Sequence, residues 1–584
     1  MRSARSRPPC RRAVTSAQHA VAASILLVTI AAALAGCGSS PSTGTAADPA
    51  AAVPASAPLY AGATVRPSGS QKTAALSAGR ALSHQTDPYL RLLEALQTPG
   101  APALDFTRDV APWLGPHAGI FLSSPDSSSA LLTLLQKGLL GGSATAAFPF
   151  GGAGAQGAIV LDTSDAAKAR SFLDAQARRA GAHSAAYRGV SYQASSGGVA
   201  FALVHRFAVI GSESGVHGVI DTTLGSPALA RTSGYATLLA AAPSGALAHL
   251  YSNTQSAVAA GAQQGPSGLM QLLAGSREAN ISLVPSGNSL AVDADALTGG
   301  TASATGGLLS SAAGGAQALG ELPGESWLAI GLGDVGATLP QDVQGLSALA
   351  SLGSALGGSA GEGSGTSTLS LKGLLQGLLT PLGELGANTA QARRDFTSWM
   401  GSAGVFASGA SLLELKGAVV IASKSPALSR AAVAKLAAQL HKAGGSTQPA
   451  SIPGTDAAVG VRLNGLPVIL DIADGRDSSG QSKFVLGLGE ASVAAALNPP
   501  STLAGTAPES AAAAALGEGI QPSLTVDFPT LLGLLEGVGL TEDPSISKLV
   551  PYLRSVTTLA GGGHSLGAGV ERVRLVLGLH QAAG

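Results

Sequence analysis

VERVRLVLGL, residues 570–579, sets Val573, Leu575 and Leu577 against Arg572, Arg574 and Val576. A period of two predicts a β-strand with one buried face. That strand decides how the residues before it are read. GGGHSLGAG (561–569) contains Gly563-His564-Ser565-Leu566-Gly567, the Gly-x-Ser-x-Gly pattern of a nucleophile elbow. Such an elbow needs a strand before the serine, a helix after it, and an acid and a histidine later in the chain. Here a strand follows, and the 19 residues after Ser565 hold Glu571 and His580 but no aspartate. A chain of 584 residues with 79 glycines is expected to match the pattern by chance, and Gly357-Gly358-Ser359-Ala360-Gly361 does so again. Residues 561–569 are predicted to form a hairpin turn.

Upstream of this strand, blocks of sequence recur in fixed order. Asp105-Phe106-Thr107 returns as Asp395-Phe396-Thr397, and Trp113-Leu114-Gly115 as Trp399-Met400-Gly401. Ala118-Gly119-Ile120-Phe121 returns as Ala403-Gly404-Val405-Phe406, and GAIVL (157–161) as GAVVI (417–421). Arg206-Phe207, Glu213, Val216 and Ile220 match Lys483-Phe484, Glu490, Val493 and Leu497. Ordered self-similarity marks an internal repeat. Short β-type runs mix with amphipathic stretches. One helix is predicted over 165–180, with Ala169, Phe172, Leu173, Ala177 and Ala180 on one stripe. Leu428, Ala432, Val433, Leu436 and Leu440 form the same stripe later on. Gly181 and Gly444 follow as C-caps. The expected fold is α+β: two tandem homologous lobes, residues 58–297 and 325–582, each a largely antiparallel sheet with helices packed on it. A Gly/Ala/Ser-rich linker occupies 298–324.

The N-terminal residues address the compartment. Arg2, Arg5, Arg7, Arg11 and Arg12 precede an uncharged apolar stretch, roughly 21–35, and then Leu34-Ala35-Gly36-Cys37. This order is that of a secretory signal peptide, residues 1–36. The last four residues are similar to a bacterial lipobox, which implies diacylglyceryl modification of Cys37. Two or more acyl chains anchor a protein stably. Residues 37–57 read as a flexible tether. The expected location is the extracytoplasmic face of the cell membrane. Without the signal arginines, 29 basic residues face 34 acidic ones, a balance that argues against a nucleic-acid partner. The two cysteines are Cys10 and Cys37, so the mature chain has neither a disulfide pair nor a thiolate metal site. Residues 343–361 are uncharged but rich in Gly and Ser, and are not read as a membrane span.

PASAPLYAGATVRPSG (54–69) and LDFTRDVAPWLGPHAGIFL (104–122) carry a family resemblance. Pro54, Pro58, Tyr60, Arg66 and Pro67 in the first stretch, and Asp109, Pro112-Trp113-Leu114-Gly115 and Phe121 in the second, resemble the uncharacterised actinobacterial envelope proteins grouped as domain-of-unknown-function 3352. The second copy keeps Trp399 and Gly401 but lacks the Asp-Val and the Pro. The resemblance implies a compartment and an architecture, and no activity, cofactor or catalytic residue.

Candidate chemistry is sparse. The ten histidines are scattered, with no metal-ligand spacing and no phosphate loop. Glu213 and Glu490 each sit between a strand and a helix, where an acid suits the helix dipole as well as it would catalysis. Asp293 and Asp295 share one face of a strand, as a calcium pair or, more simply, as an exposed sheet face. Trp113 and Trp399 are matched across the copies and either line a ligand groove or close the core. The expectation is a lipid-anchored envelope protein that binds a lipid, a glycan or another envelope protein in a cleft in or between the lobes, without catalytic residues, metal or cofactor. The alternatives are a structural or assembly role in the envelope and, behind it, an enzyme with an unrecognised site.

Overall fold

In the computed structural model, residues 47–83, 104–124, 150, 155–253, 276–297, 313–336, 397–411, 413–442, 444–463, 468–537, 539–542, 547 and 550–580 are described. Cys37 and residues 343–361 lie outside them.

The first half supplies β1 (Leu59–Thr64), β2 (Leu114–Leu122), β3 (Gly157–Thr163), β4 (His183–Tyr187), β5 (Val190–Ala194), β6 (Val199–Val204), β7 (Phe207–Ser212), β8 (Ala248–Asn253), β9 (Glu278–Ser286) and β10 (Ser289–Leu297). The second half supplies β11 (Ser326–Leu332), β12 (Met400–Ser408), β13 (Lys416–Ser423), β14 (Ser446–Pro449), β15 (Thr455–Arg462), β16 (Ile469–Arg476), β17 (Ser482–Leu488), β18 (Leu524–Asp527), β19 (Val556–Gly567) and β20 (Val570–Leu579). All their ladders are antiparallel. Pairing runs β4-β5-β6-β7-β3-β2-β1-β8-β9-β10 in the first half. It runs β14-β15-β16-β17-β13-β12-β11-β18-β19-β20 in the second.

The two runs are joined. β10 pairs with β20 from Ser289↔Gly578 to Leu297↔Val570, so the twenty strands form one sheet. This corrects the expected pair of lobes with a sheet each. The reason lies in the two last strands. Asp293 stands opposite Arg574 and Asp295 opposite Arg572, and each pair is bidentate, with N–O distances of 2.6–2.8 Å. Both carboxylates are fully buried, so neither the exposed face nor the calcium pair expected for them is found. Arg572 is buried too, so β20 has two covered faces where its alternation predicted one. An unpaired ion buried there would cost several kcal/mol, which favours this register over a frayed edge.

Helices cover both faces: α1 (Gly69–Ser83), α2 (Ala166–Arg179), α3 (Glu213–Thr223), α4 (Ser233–Ala241), α5 (Ala313–Gly320), α6 (Pro426–Lys442), α7 (Glu490–Leu497), α8 (Ala507–Leu516), α9 (Phe528–Gly537) and the short α10 (Val550–Arg554). In β3, Ile159 and Leu161 meet Phe172 and Leu173 of α2, while Ala158 and Val160 face Val216 and Ile220 of α3. In β13, Val419 and Ile421 meet Val433 and Leu436 of α6, and Ala418 and Val420 face Val493 and Leu497 of α7. The predicted helical stripes bury Ala169, Phe172, Leu173 and Ala177 in α2, and Ala432, Val433, Leu436 and Leu440 in α6. Leu428 is 48% exposed; Ser429 takes the buried place and donates to Asp474. Gly181 and Gly444, with φ of 62° and 97°, adopt the left-handed conformation of a C-cap.

Two spans differ from the expected linkers. Residues 47–57, inside the predicted tether, pack on the sheet: Ala50, Ala52 and Val53 are buried beside Tyr60 and Val160, and Asp48 caps the 3-10 turn Pro49–Ala52. Residues 313–320, inside the predicted linker, form α5, from which Leu319 packs with Phe406 and Ala329. Among the described residues no helix is long and apolar enough to cross a membrane.

Candidate functional site

LDFTRDVAPWLG builds one corner of the first half. The Asp105 carboxylate accepts from the Arg108 amide (2.8 Å), and the Asp109 carboxylate accepts from the Asp105 amide (2.9 Å). This reciprocal pair closes a π-turn, Phe106–Val110, that buries Phe106 and Val110. Arg108 donates to both Asp109 oxygens at 2.8 Å, which holds the Asp109 carboxyl below its ordinary range. The carbonyl of Asp109 accepts from Trp113 Nε1 at 2.8 Å. Trp113 is thus fixed at 1% exposure, its ring 5.0 Å from that of Phe172 on α2. Gly115 follows because Asp162 lies beside it: a Cβ would come 2.4 Å from Asp162 Oδ2.

α2 begins at Asp165, whose carboxylate accepts from the amides of Ala167 and Lys168 at 3.1 Å. Between α2 and the π-turn lies a cleft of about 490 Å³, a size suited to a small ligand. Trp113, Phe172, Pro112 and Ala175 give it an apolar floor, and Ser171 and Gln176 add polar atoms. Arg108, Lys168 and Arg179 line it against a single carboxylate, Asp109. Arg108 and Lys168 also have exposed ion pairs of their own, with Asp109 and Asp165.

The matching corner of the second half is described from Thr397 onward. Trp399 is 2% exposed, with its ring 5.1 Å from Phe484. Asp395 and Phe396 lie outside the described residues. Both tryptophans therefore sit in the core, and Trp113 also floors a cleft. The carbonyl of each receives an amide from beyond the next strand, Ser164 at 2.8 Å and Lys424 at 2.7 Å.

The other predicted positions are placed as follows. Ser565 is exposed in β19, opposite Glu571, and leads into a tight turn at Ala568 and Gly569, with φ of 51° and 74°. Glu213 and Glu490 open α3 and α7. Glu213 accepts from the Tyr192 hydroxyl, which also bonds His217 Nε2 at 3.0 Å. Burial, then Glu213, pushes the Tyr192 hydroxyl up to about 12. In the second half, burial and then Glu490 push Asp471 up to about 6.

A polar row that no local pattern signals crosses the centre of the sheet. Register aligns Tyr60, Tyr251, Asn280, Asp295, Arg572 and His564 on one face, beside Gly62, His249, Ser282, Asp293 and Arg574. His249 bonds Tyr235 at 3.0 Å, and burial holds its imidazole down to about 4. Arg572 also reaches the carbonyl of Ala241 at the end of α4, and Arg574 that of Leu516 at the end of α8. The Asp–Arg pairs, His249, Tyr251 and Asn280 all have partners in or beside the row, which makes it a structural brace, while the Tyr60 hydroxyl and His564 Nδ1 are buried without a hydrogen-bond partner among the described residues.

Comparison with known proteins adds a family. The model of a family described as "Protein of unknown function (DUF3352)" matches residues 20–518. No curated protein matches. Among solved structures, a chain titled "Structure of crystal form I of TP0453" is 10% identical, with 44% of this chain and 80% of that chain covered, at a TM-score of 0.24; a likeness that low carries no argument.

Proposed function

We propose, for a chain that belongs to the DUF3352 family of proteins of unknown function, a role in binding: an envelope protein of a bacterium of the actinobacterial kind, held to the outer face of the cell membrane through acylated Cys37, that takes an anionic amphiphile in the Trp113 cleft. One observation carries the ligand class. Three cations, Arg108 and Lys168 in exposed pairs with Asp109 and Asp165 and Arg179 beside them, surround a floor of Trp113, Phe172, Pro112 and Ala175. Cations recognise a negative head, and an apolar floor accepts the carbon next to it. The signal-like run ending in Leu34-Ala35-Gly36-Cys37 supports the compartment and the anchor.

The test is native mass spectrometry of residues 38–584 purified from the host, with extraction of whatever co-purifies. The reading expects a bound anionic amphiphile that is lost when Ser171→Trp fills the cleft. A clean apoprotein, or a ligand retained by Ser171→Trp, would overturn it. For the anchor, Cys37→Ser should move the protein from the membrane fraction to the soluble one.

A further inference from the structure

We infer that the cleft's ligand is the phosphodiester headgroup of an anionic phospholipid in the leaflet that holds the anchor, so that the cleft faces the membrane. This rests on the binding role proposed for the cleft and names its substrate.

The geometry concerns one end of β3. The chain enters the described fold at Ala47, which lies close to the carboxylate of Asp162 near the end of that strand. Two residues on, the amide of Ser164 donates to the carbonyl of Trp113, which floors the cleft. Side chains alternate along β3, so Asp162 and the π-turn lie on opposite faces of the sheet but at the same end. Cys37 lies ten positions before Ala47, with nine residues between them. Fully extended this stretch spans at most roughly 35 Å, and any slack brings the end closer. An acylated Cys37 therefore holds this end of β3, with Arg108 and Lys168, within roughly 35 Å of the lipid surface, and Arg179 lies at the other end of α2, roughly 17 Å further along the helix.

Charge points the same way. Arg108 and Arg179 offer planar forks that match phosphate oxygens, and Lys168 a point charge. Basic residues close to an anionic leaflet are drawn to it. The floor beneath them suits a glycerol backbone better than a bare ion. In the second half, α6, which packs on β13 as α2 packs on β3, carries the exposed cations Lys435 and Lys442.

The test uses the mature chain with Cys37→Ser, so that no acyl group mediates binding, in co-flotation with phosphatidylglycerol or phosphatidylcholine vesicles. Binding to phosphatidylglycerol alone is expected. Lys168→Glu with Arg179→Glu should weaken it tenfold or more, while Lys435→Glu with Lys442→Glu should leave it within twofold. Soluble glycerophosphoglycerol should compete. Equal binding to both vesicles, or equal loss in both double variants, overturns the inference. So does saturation of the cleft by inorganic phosphate without vesicle binding, which would leave an anion-binding cleft whose ligand is not lipid. A neutral co-purified ligand would likewise leave binding in place and remove the phosphodiester.

Discussion

At the β10–β20 seam, Asp295 and Arg572 meet in a bidentate pair with side chains 0% and 8% exposed. At the Trp113 corner, Asp109 and Arg108 make the same pair with side chains 24% and 72% exposed. The chemistry is alike and the surroundings differ. At the seam the guanidinium has no water to fall back on, so it is committed to Asp295 and to the end of α4. At the corner the pair shapes a turn, and the guanidinium remains accessible beside two further cations. Burial makes the first pair a brace, and exposure leaves the second free to meet a ligand.

The sharpest way to break that contrast is Arg572→Leu. It leaves Asp295 buried and uncompensated and should cost about 3–5 kcal/mol, read as a fall in denaturation midpoint. Adding Asp295→Leu should recover most of the loss, because two apolar groups replace the pair; a double variant as weak as the single one would refute the brace. The same truncation at the corner, Arg108→Leu, should cost less than about 1 kcal/mol.

Next comes Gly62→Ala in the polar row. A Cβ there would sit 2.5 Å from His249 Cε1, and overpacking of this sort costs about 1–3 kcal/mol. Unchanged stability would mean that the His249 ring is not confined as described.

His249 gives a pH-dependent effect. Its imidazole is held down to about 4 when folded, against about 6.5 when unfolded, so the unfolded chain binds the extra proton. Its stabilising contribution is whole above about pH 6.5 and is lost as pH falls toward 4. His249→Gln should flatten the fall in urea midpoint over that window, and an unaltered slope would show that His249 stays solvated.

The smallest expected effect is Arg179→Glu. Its side chain is exposed at the cleft rim, so stability should shift by less than about 0.5 kcal/mol while ligand occupancy drops. An equal drop after Arg188→Glu, at the exposed ion pair with Asp221, would show general charge attraction and no cleft.

Much of the architecture was legible. Ala118–Phe121 and Ala403–Phe406 fall on β2 and β12, and the GAIVL and GAVVI runs on β3 and β13, at matching places in the pairing order. Gly181 and Gly444 ended their helices as read. Periodicity reports one chain segment at a time. It could place Arg572 and Arg574 opposite Leu575, but it had no means of telling that a strand nearly three hundred residues earlier would cover them. For the cleft, Trp113 was singled out by its recurrence at Trp399. Lys168 and Arg179 were missed because on α2 they look like any solvated helical charges, and the π-turn that brings Arg108 to them has no periodic signature.

From its residues alone this chain declared its strands, its helical stripes, its family likeness and a signal-like N-terminus, because each is written in neighbours a few positions apart. That the strands make one sheet, that Asp293 and Asp295 are braces, and that three cations share a cleft was decided only in three dimensions. Ladder register and burial set which distant charges must satisfy one another and which stay open to water, and neither quantity exists until the chain has folded.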